Sequence, residues 1–259
     1  MPDYSLFDTH CHLDVTEFDA DRDAVLARAR ANGVTQMLVP AVNRAGWRFL
    51  LDYCRVNEGL YPALGMHPVY IDQHRDEDIT ALAEWVEKEK PAAIGEIGLD
   101  YFVESLDRNR QQQIFEAQLC IARDANLPVV LHVRKSHDQI LQTLKRIKVR
   151  GGFSHAFNGS EQHARQYAEL GFKLGFGGML TYERSSKLRS LAKNIPLENI
   201  VLETDAPDMT VAAHRGERNS PEYLPDCLRA LSEVKDMDAR QVAEITTRNA
   251  MGVLGIAGS

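Results

Sequence analysis

The chain has 259 residues, 44% hydrophobic and 26% charged, which excludes a disordered or low-complexity polymer and allows one large domain with a sizeable core. Its 30 Lys and Arg against 37 Asp and Glu give a formal charge of −7, so bulk attraction does not drive nucleic-acid binding, although a local basic patch is still compatible. No apolar run approaches the ~20 residues of a membrane span, the first residues lack a signal-peptide pattern, and the four cysteines, Cys11, Cys54, Cys120 and Cys227, are too scattered for a zinc knuckle or disulfide framework; the expectation is a reduced, cytoplasmic protein, a monomer, with no membrane partner.

In chain order, short apolar runs alternate with helix-like segments. The first predicted strand, Ser5–His10, is followed by a helix over Asp21–Ala31 and a stop at Gly33. Strands at Val34–Val39 and Leu60–Leu64 flank a helix at Ala45–Asn57. A helix at Asp78–Lys90 ends before Pro91 and leads into a strand at Ala92–Ile97. The pattern continues with a helix at Asp107–Asn126, a strand at Val129–Val133, a helix at Ser136–Lys148 and a strand at Gly152–His155. A helix at Ser160–Leu170, a strand at Phe172–Phe176, a helix at Arg184–Asn194 and a strand at Ile200–Glu203 follow. Two helices, near Pro221–Val234 and Asp238–Leu254, close the chain. The strands are continuous apolar runs, as in a parallel sheet buried on both faces. Eight strands in strict alternation with helices predict one (β/α)8 TIM barrel, with a doubly wound open sheet as runner-up.

Barrel enzymes carry their chemistry at the C-terminal ends of the strands, and metal-ligating side chains recur there. In Asp8-Thr9-His10-Cys11-His12, strand alternation puts His10 and His12 on one side and turns Cys11 away. Glu96 ends an apolar fourth strand, where an unpaired carboxylate is costly. The fifth and sixth strands end in His132 and His155. The eighth runs into Glu203-Thr204-Asp205, of which Asp205 lies nearer the mouth. The six residues His10, His12, Glu96, His132, His155 and Asp205 therefore converge on one mouth. They suffice for two divalent ions (Zn, Mn or Mg), with Glu96 as the bridge and Asp205 as proton acceptor for the attacking water, which is metal-assisted hydrolysis. Arg134 offers a planar fork for phosphate, against an ion pair to Asp138. Arg215 and Arg218, in the loop after the eighth strand, stand where barrels often bind phosphate. His74, His137, His163 and His214 lack strand-end context and read as surface or loop residues. Trp47 and Trp85 read as packing residues.

The stretches LFDTHCHLD at 6–14, GMHP at 65–68, GEIGLDY at 95–101, PVVLHVRKS at 128–136, HAFNGS at 155–160 and LETDAP at 202–207 resemble, in order, the TatD-related metal-dependent hydrolases. That family is a deoxyribonuclease-like branch of the amidohydrolase superfamily. The resemblance implies a (β/α)8 barrel, a divalent-metal centre on the six residues above, and hydrolysis of DNA phosphodiesters from the ends, often 3′ to 5′. It puts Glu96 where many amidohydrolases use a modified lysine, and it gives His67 a substrate contact. The turn Phe102-Val103-Glu104 departs from the family's usual pattern. The competing readings are hydrolysis of a non-nucleic-acid ester or amide bond at the same centre and a metal-dependent scaffold.

Overall fold

The computed structural model describes residues 4–256. Among them, eight strands form one parallel sheet in the order β1 to β8: β1 (Leu6–Asp8), β2 (Val34–Pro40), β3 (Leu60–Leu64), β4 (Ala93–Asp100), β5 (Val129–Arg134), β6 (Gly152–Ser154), β7 (Phe172–Phe176) and β8 (Ile200–Leu202). Seven helices connect successive strands: α1 (Arg22–Ala31), α2 (Trp47–Val56), α3 (Asp76–Glu89), α4 (Arg108–Asp124), α5 (His137–Arg146), α6 (Glu161–Glu169) and α7 (Ser186–Asn194). Helices α8 (Leu224–Lys235) and α9 (Ala239–Leu254) follow β8. The seam closes where Thr9 N–H donates to the Leu202 carbonyl at 3.0 Å and Asp205 N–H to that of His10 at 2.8 Å, with Cys11 bridged to Ala206. The expected (β/α)8 barrel is the observed fold.

Two apolar layers hold it together. Phe7, Leu38, Ala63, Ala93, Val130 and Phe153 fill the barrel interior, one from each of six successive strands, and α9 packs against them through Ala250. Alternate residues such as Leu6, Met37 and Leu131 face outward into a second layer under the helices. Helix starts follow local chemistry. Asp107 accepts from Asn109 N–H and Arg110 N–H to cap α4, and Asp238 does the same for Arg240 and Gln241 at α9.

Strand ends differ from expectation where the site lies. β1 stops at Asp8, β6 at Ser154 and β8 at Leu202, so His10, His12, His155, Glu203 and Asp205 all sit just past their strands. β4 runs on to Asp100 and carries a bulge: Ile94 pairs with Val129 but Ile97 with Leu131. The extra residue re-aims the side chain beside it, Glu96, into the mouth.

Candidate metal centre

The residues after β1 keep strand-like alternation because β8 and its loop hold them. His12 N–H donates to the Ala206 carbonyl at 2.8 Å, and Cys11 is buried in the outer layer. His10 and His12 consequently share a side, with their Nε2 atoms 3.1 Å apart. Beneath them Asp8 accepts from the N–H groups of His10 at 3.2 Å and Thr204 at 3.0 Å, and from the Thr204 hydroxyl. Burial pushes the Asp8 carboxyl up to about 7 against these bonds.

Glu96 is the hub. Its Oε2 lies 3.0 Å from His10 Nε2 and 3.3 Å from His12 Nε2, while its Oε1 lies 3.0 Å from His132 Nδ1 and 3.3 Å from His67 Nε2. The two oxygens thus face two different histidine pairs. Burial alone would raise this carboxyl, but His67, His10 and His12 hold it well below the usual carboxylate range. Asp205 closes the ring, with Oδ1 3.7 Å from His10 Nε2 and Oδ2 3.5 Å from His155 Nε2. Its backbone sits in the left-handed region at φ 60°. Against burial, His155, His10 and His12 draw its carboxyl down to about 2.

For His12, His132 and His67, outer hydrogen bonds decide which nitrogen carries the proton. His12 Nδ1–H donates to the Pro40 carbonyl at 3.0 Å, which leaves Nε2 for the centre. His132 presents Nδ1, because its Nε2–H donates to Asp100 Oδ2 at 3.0 Å. His155 Nδ1 makes no hydrogen bond, but lies 3.0 Å from Glu203 Oε1 in a charge contact, and its Nε2 faces Asp205. Glu203 in turn accepts from Ala156 N–H at 2.6 Å. His67 is wired the other way. Its Nδ1 accepts from Val69 N–H at 3.1 Å, so in the neutral ring the proton is on Nε2, which donates toward Glu96. Burial keeps this ring neutral by lowering its pKa to about 4.

Imidazole nitrogens and carboxylate oxygens crowded at hydrogen-bond distances are the donor set of a divalent cation. Three groups have ligand atoms mutually within 4.8 Å: His10, His12 and Glu96; His10, His155 and Asp205; His67, Glu96 and His132. In the last group the His67 proton makes that ring a donor to the carboxylate rather than a lone-pair ligand. The residues therefore fit divalent metal. All of them but the fully buried His10 line a cavity of about 1030 Å³ at the barrel mouth.

The six ligand-type residues read from the sequence thus come together, and His67 joins them. The structure adds Asp100 and Glu203 as carboxylates that orient His132 and His155. Asp100 shares strand parity with Glu96, a signal present in the sequence. Arg134 lines the cavity, with its guanidinium 3.8 Å above the Phe102 ring and 4.0 Å from Asp100; its alternative partner Asp138 instead pairs with His163 at 3.2 Å. The loop after β8 departs from expectation. Arg218 forks onto both Asp21 oxygens at 2.9 and 2.8 Å, and neither it nor Arg215 lines the cavity. A carboxylate from the far end of the chain already fills the fork proposed for phosphate. Two further readings need correction. His74 is buried and bonds the His67 carbonyl at 2.9 Å, and His137 is buried between Tyr167 and Asn158. Trp47 is fully buried, as expected, and donates to the Gly65 carbonyl.

The profile of the TatD related DNase family matches residues 7–255. The chain is 38% identical over 245 residues to the uncharacterized metal-dependent hydrolase YjjV of Escherichia coli, covering 93% of this chain and 95% of that one. It is 32% identical over 252 residues, 95% of this chain and 96% of the other, to a protein of Cronobacter sakazakii named 3′-5′ ssDNA/RNA exonuclease TatD. The crystal structure of the TatD homologue YjjV superposes with a TM-score of 0.94 at 37% identity over 97% of this chain and 98% of that one. With the fold, the donor cluster and these matches in agreement, the chain belongs to the TatD related DNase family and is a metal-dependent hydrolase.

Proposed function

We propose that the chain is a nuclease that trims DNA from its ends, 3′ to 5′, by hydrolysing phosphodiester bonds at a centre of two divalent ions. The observation that carries this reading is the division of Glu96: its two oxygens face separate histidine sets. His10, His12 and Asp205 would hold an ion on one side, His132 and His155 on the other, with Glu96 shared. Bound there, the ions supply Lewis-acid stabilisation of phosphoryl charge and acidify the attacking water.

The chain's own groups do the rest. Asp205, the most exposed carboxylate of the ring at 15%, takes the proton of the attacking water. Held near pKa 2, it is ionised at neutral pH and passes that proton on to solvent rather than keeping it. His67, whose Nε2–H rests toward Glu96 in the metal-free centre, would turn that neutral donor to a phosphoryl oxygen once ions occupy Glu96, and stabilise charge as it develops. Arg134, steadied by Phe102, holds a phosphate oxygen. Arg215 and Arg218 have no part in this proposal. The name of the Cronobacter relative supports an exonuclease acting on single strands.

The test is hydrolysis of end-labelled single-stranded DNA by protein loaded separately with zinc, manganese and magnesium, beside a panel of esters and amides. Stepwise shortening from the 3′ end is expected. Turnover confined to the ester or amide panel would replace the nuclease with a hydrolase of another bond.

A further inference from the structure

The cavity extends well beyond the ring of donors. Its volume of about 1030 Å³ is at the upper limit of the ~300–1,000 Å³ that encloses a drug-sized ligand, so it accommodates more than the group being cleaved. Charged side chains of both signs line its outer part. The lining carboxylates that make no ion pair or hydrogen bond with a histidine of the centre, Glu17 and Asp208, follow β1 and β8. The lining cations are Arg134 at the end of β5, Arg184 on the loop after β7 and Lys187 in the first turn of α7.

Arg184 and Lys187 differ from many of the cations on the surface. Arg28, Arg55, Arg146 and Arg218 each hold a carboxylate, and Arg189, two residues beyond Lys187, reaches Glu233. Arg184 and Lys187 are both exposed and make no ion pair or hydrogen bond among the described residues; Arg184 rests over the Tyr182 ring at 5.5 Å. Their segment is nevertheless tied down. Tyr182 Oη–H donates to the Thr210 carbonyl at 3.1 Å, Ala212 N–H donates to Thr181 Oγ1 at 2.8 Å, and Arg189 donates to the Leu180 carbonyl at 2.9 Å. Two unpaired cations on an anchored segment, facing the cavity that holds the centre, are prearranged for anions supplied by a ligand.

We propose that Arg184 and Lys187 form a backbone-phosphate subsite. With Arg134 across the β6 loop, it grips phosphodiesters of a single strand next to the one being cleaved. This rests on the nuclease reading and deepens it: the substrate is an oligonucleotide held by several phosphates, not a mononucleotide or an isolated diester. Phosphate contacts carry no base information, so the grip is independent of sequence. It also reconciles a chain of charge −7 with a polyanionic substrate, because the attraction is confined to the mouth.

The experiment compares the wild-type protein with the R184A/K187A double variant in two arms. In the first, anisotropy of a labelled twelve-nucleotide single strand is titrated in EDTA, where no hydrolysis occurs, between 50 and 200 mM salt. Loss of two contacts is expected to flatten the slope of log affinity against log salt by about 1.4, at about 0.7 for each phosphate released. The loss should be equal on oligothymidine and oligoadenine. In the second arm, metal-loaded protein cleaves the twelve-mer and a dinucleotide. The wild-type preference for the longer strand should collapse in the variant through KM. The charge-conserving R184K/K187R variant should restore both readouts. A variant with the wild-type salt slope and length preference would overturn the subsite. If wild-type protein binds the strand with the expected slope difference yet cleaves no DNA, the nuclease reading falls and the subsite stands. If it binds no strand at all, both fall.

Discussion

Gly175, on β7, touches the site through what it lacks. A methyl group built on it would lie 2.0 Å from Glu203 Oε2 and 2.8 Å from Oε1. Ordinary contact needs about 3.5 Å, so in G175A the carboxylate must retreat by about 1.5 Å. Glu203 is 1% exposed, and it has no open solvent to move into. The retreat breaks the 2.6 Å bond from Ala156 N–H and withdraws the partner of His155 Nδ1. Losing a hydrogen bond to a buried charge costs about 1.5–3 kcal/mol. For a domain of this size each kcal/mol moves Tm by about 2–4 °C, so the metal-free variant should melt roughly 3–12 °C lower. His155 loses its orienting carboxylate, and weakening of that kind typically lowers metal affinity about 10–100-fold. Differential scanning calorimetry and metal titration read the two effects. The control is G252A: Gly252 lies in α9 with nothing within 4 Å of the added methyl group, and it should gain about 0.5–1 kcal/mol. A G175A protein with wild-type Tm and metal affinity would refute the claim that Glu203 orients His155.

Three further outcomes follow from the same geometry. Burial lowers the His12 pKa, but Glu96 and Asp205 raise it to about 9, and His155 is driven well above its ordinary value by Asp205 and Glu203; such raised histidines lend the metal-free fold stability that is full below pH 6.5 and lost as pH climbs through about 9. Metal-free protein should therefore lose Tm across that window while metal affinity rises with pH, and titration at pH 7 in buffers of different ionisation enthalpy should detect proton release; parallel Tm curves with and without metal would contradict this. H67A should reduce turnover while leaving metal stoichiometry intact, and H67Q, which keeps an N–H donor, should recover part of it; loss of an ion from H67A, read by elemental analysis, would make His67 a ligand instead. D205N should lower kcat by roughly 10²–10⁴-fold with the histidine-held metal largely retained, and near-normal kcat at full occupancy would assign the proton to another group.

The order of the elements was legible because a parallel barrel writes itself as apolar runs between capped helices. The convergence of His10, His12, Glu96, His132, His155 and Asp205 was legible because it needs only strand ends. Two features fell outside that reach. Arg218 looked available for phosphate because its partner, Asp21, is 197 residues away and only the closed barrel brings them together. His74 and His137 looked peripheral because what buries them is a neighbouring loop carbonyl in one case and a tyrosine from the next helix in the other.

Strand parity worked for His10 and His12, and for Glu203 and Asp205 it gave a sound pairing on an insufficient premise. β8 ends at Leu202, so no strand period governs the two acids. They meet the same ring because Asp205 turns through φ 60°, while Glu203 enters the space left by Gly175. One acid then faces His155 Nδ1 and the other Nε2. The same division recurs at His132, between Asp100 and Glu96. At His132 the outer carboxylate fixes the proton by a hydrogen bond, and at His155 it lies beside the outer nitrogen as a charge 3.0 Å away. His67 lacks an outer carboxylate and has a backbone N–H in its place, which reverses its proton and turns a potential ligand into a donor. Residue type is common to all these histidines. What sets His67 apart from the candidate ligands His12 and His132 is the partner of the far nitrogen, a fact that belongs to the folded chain.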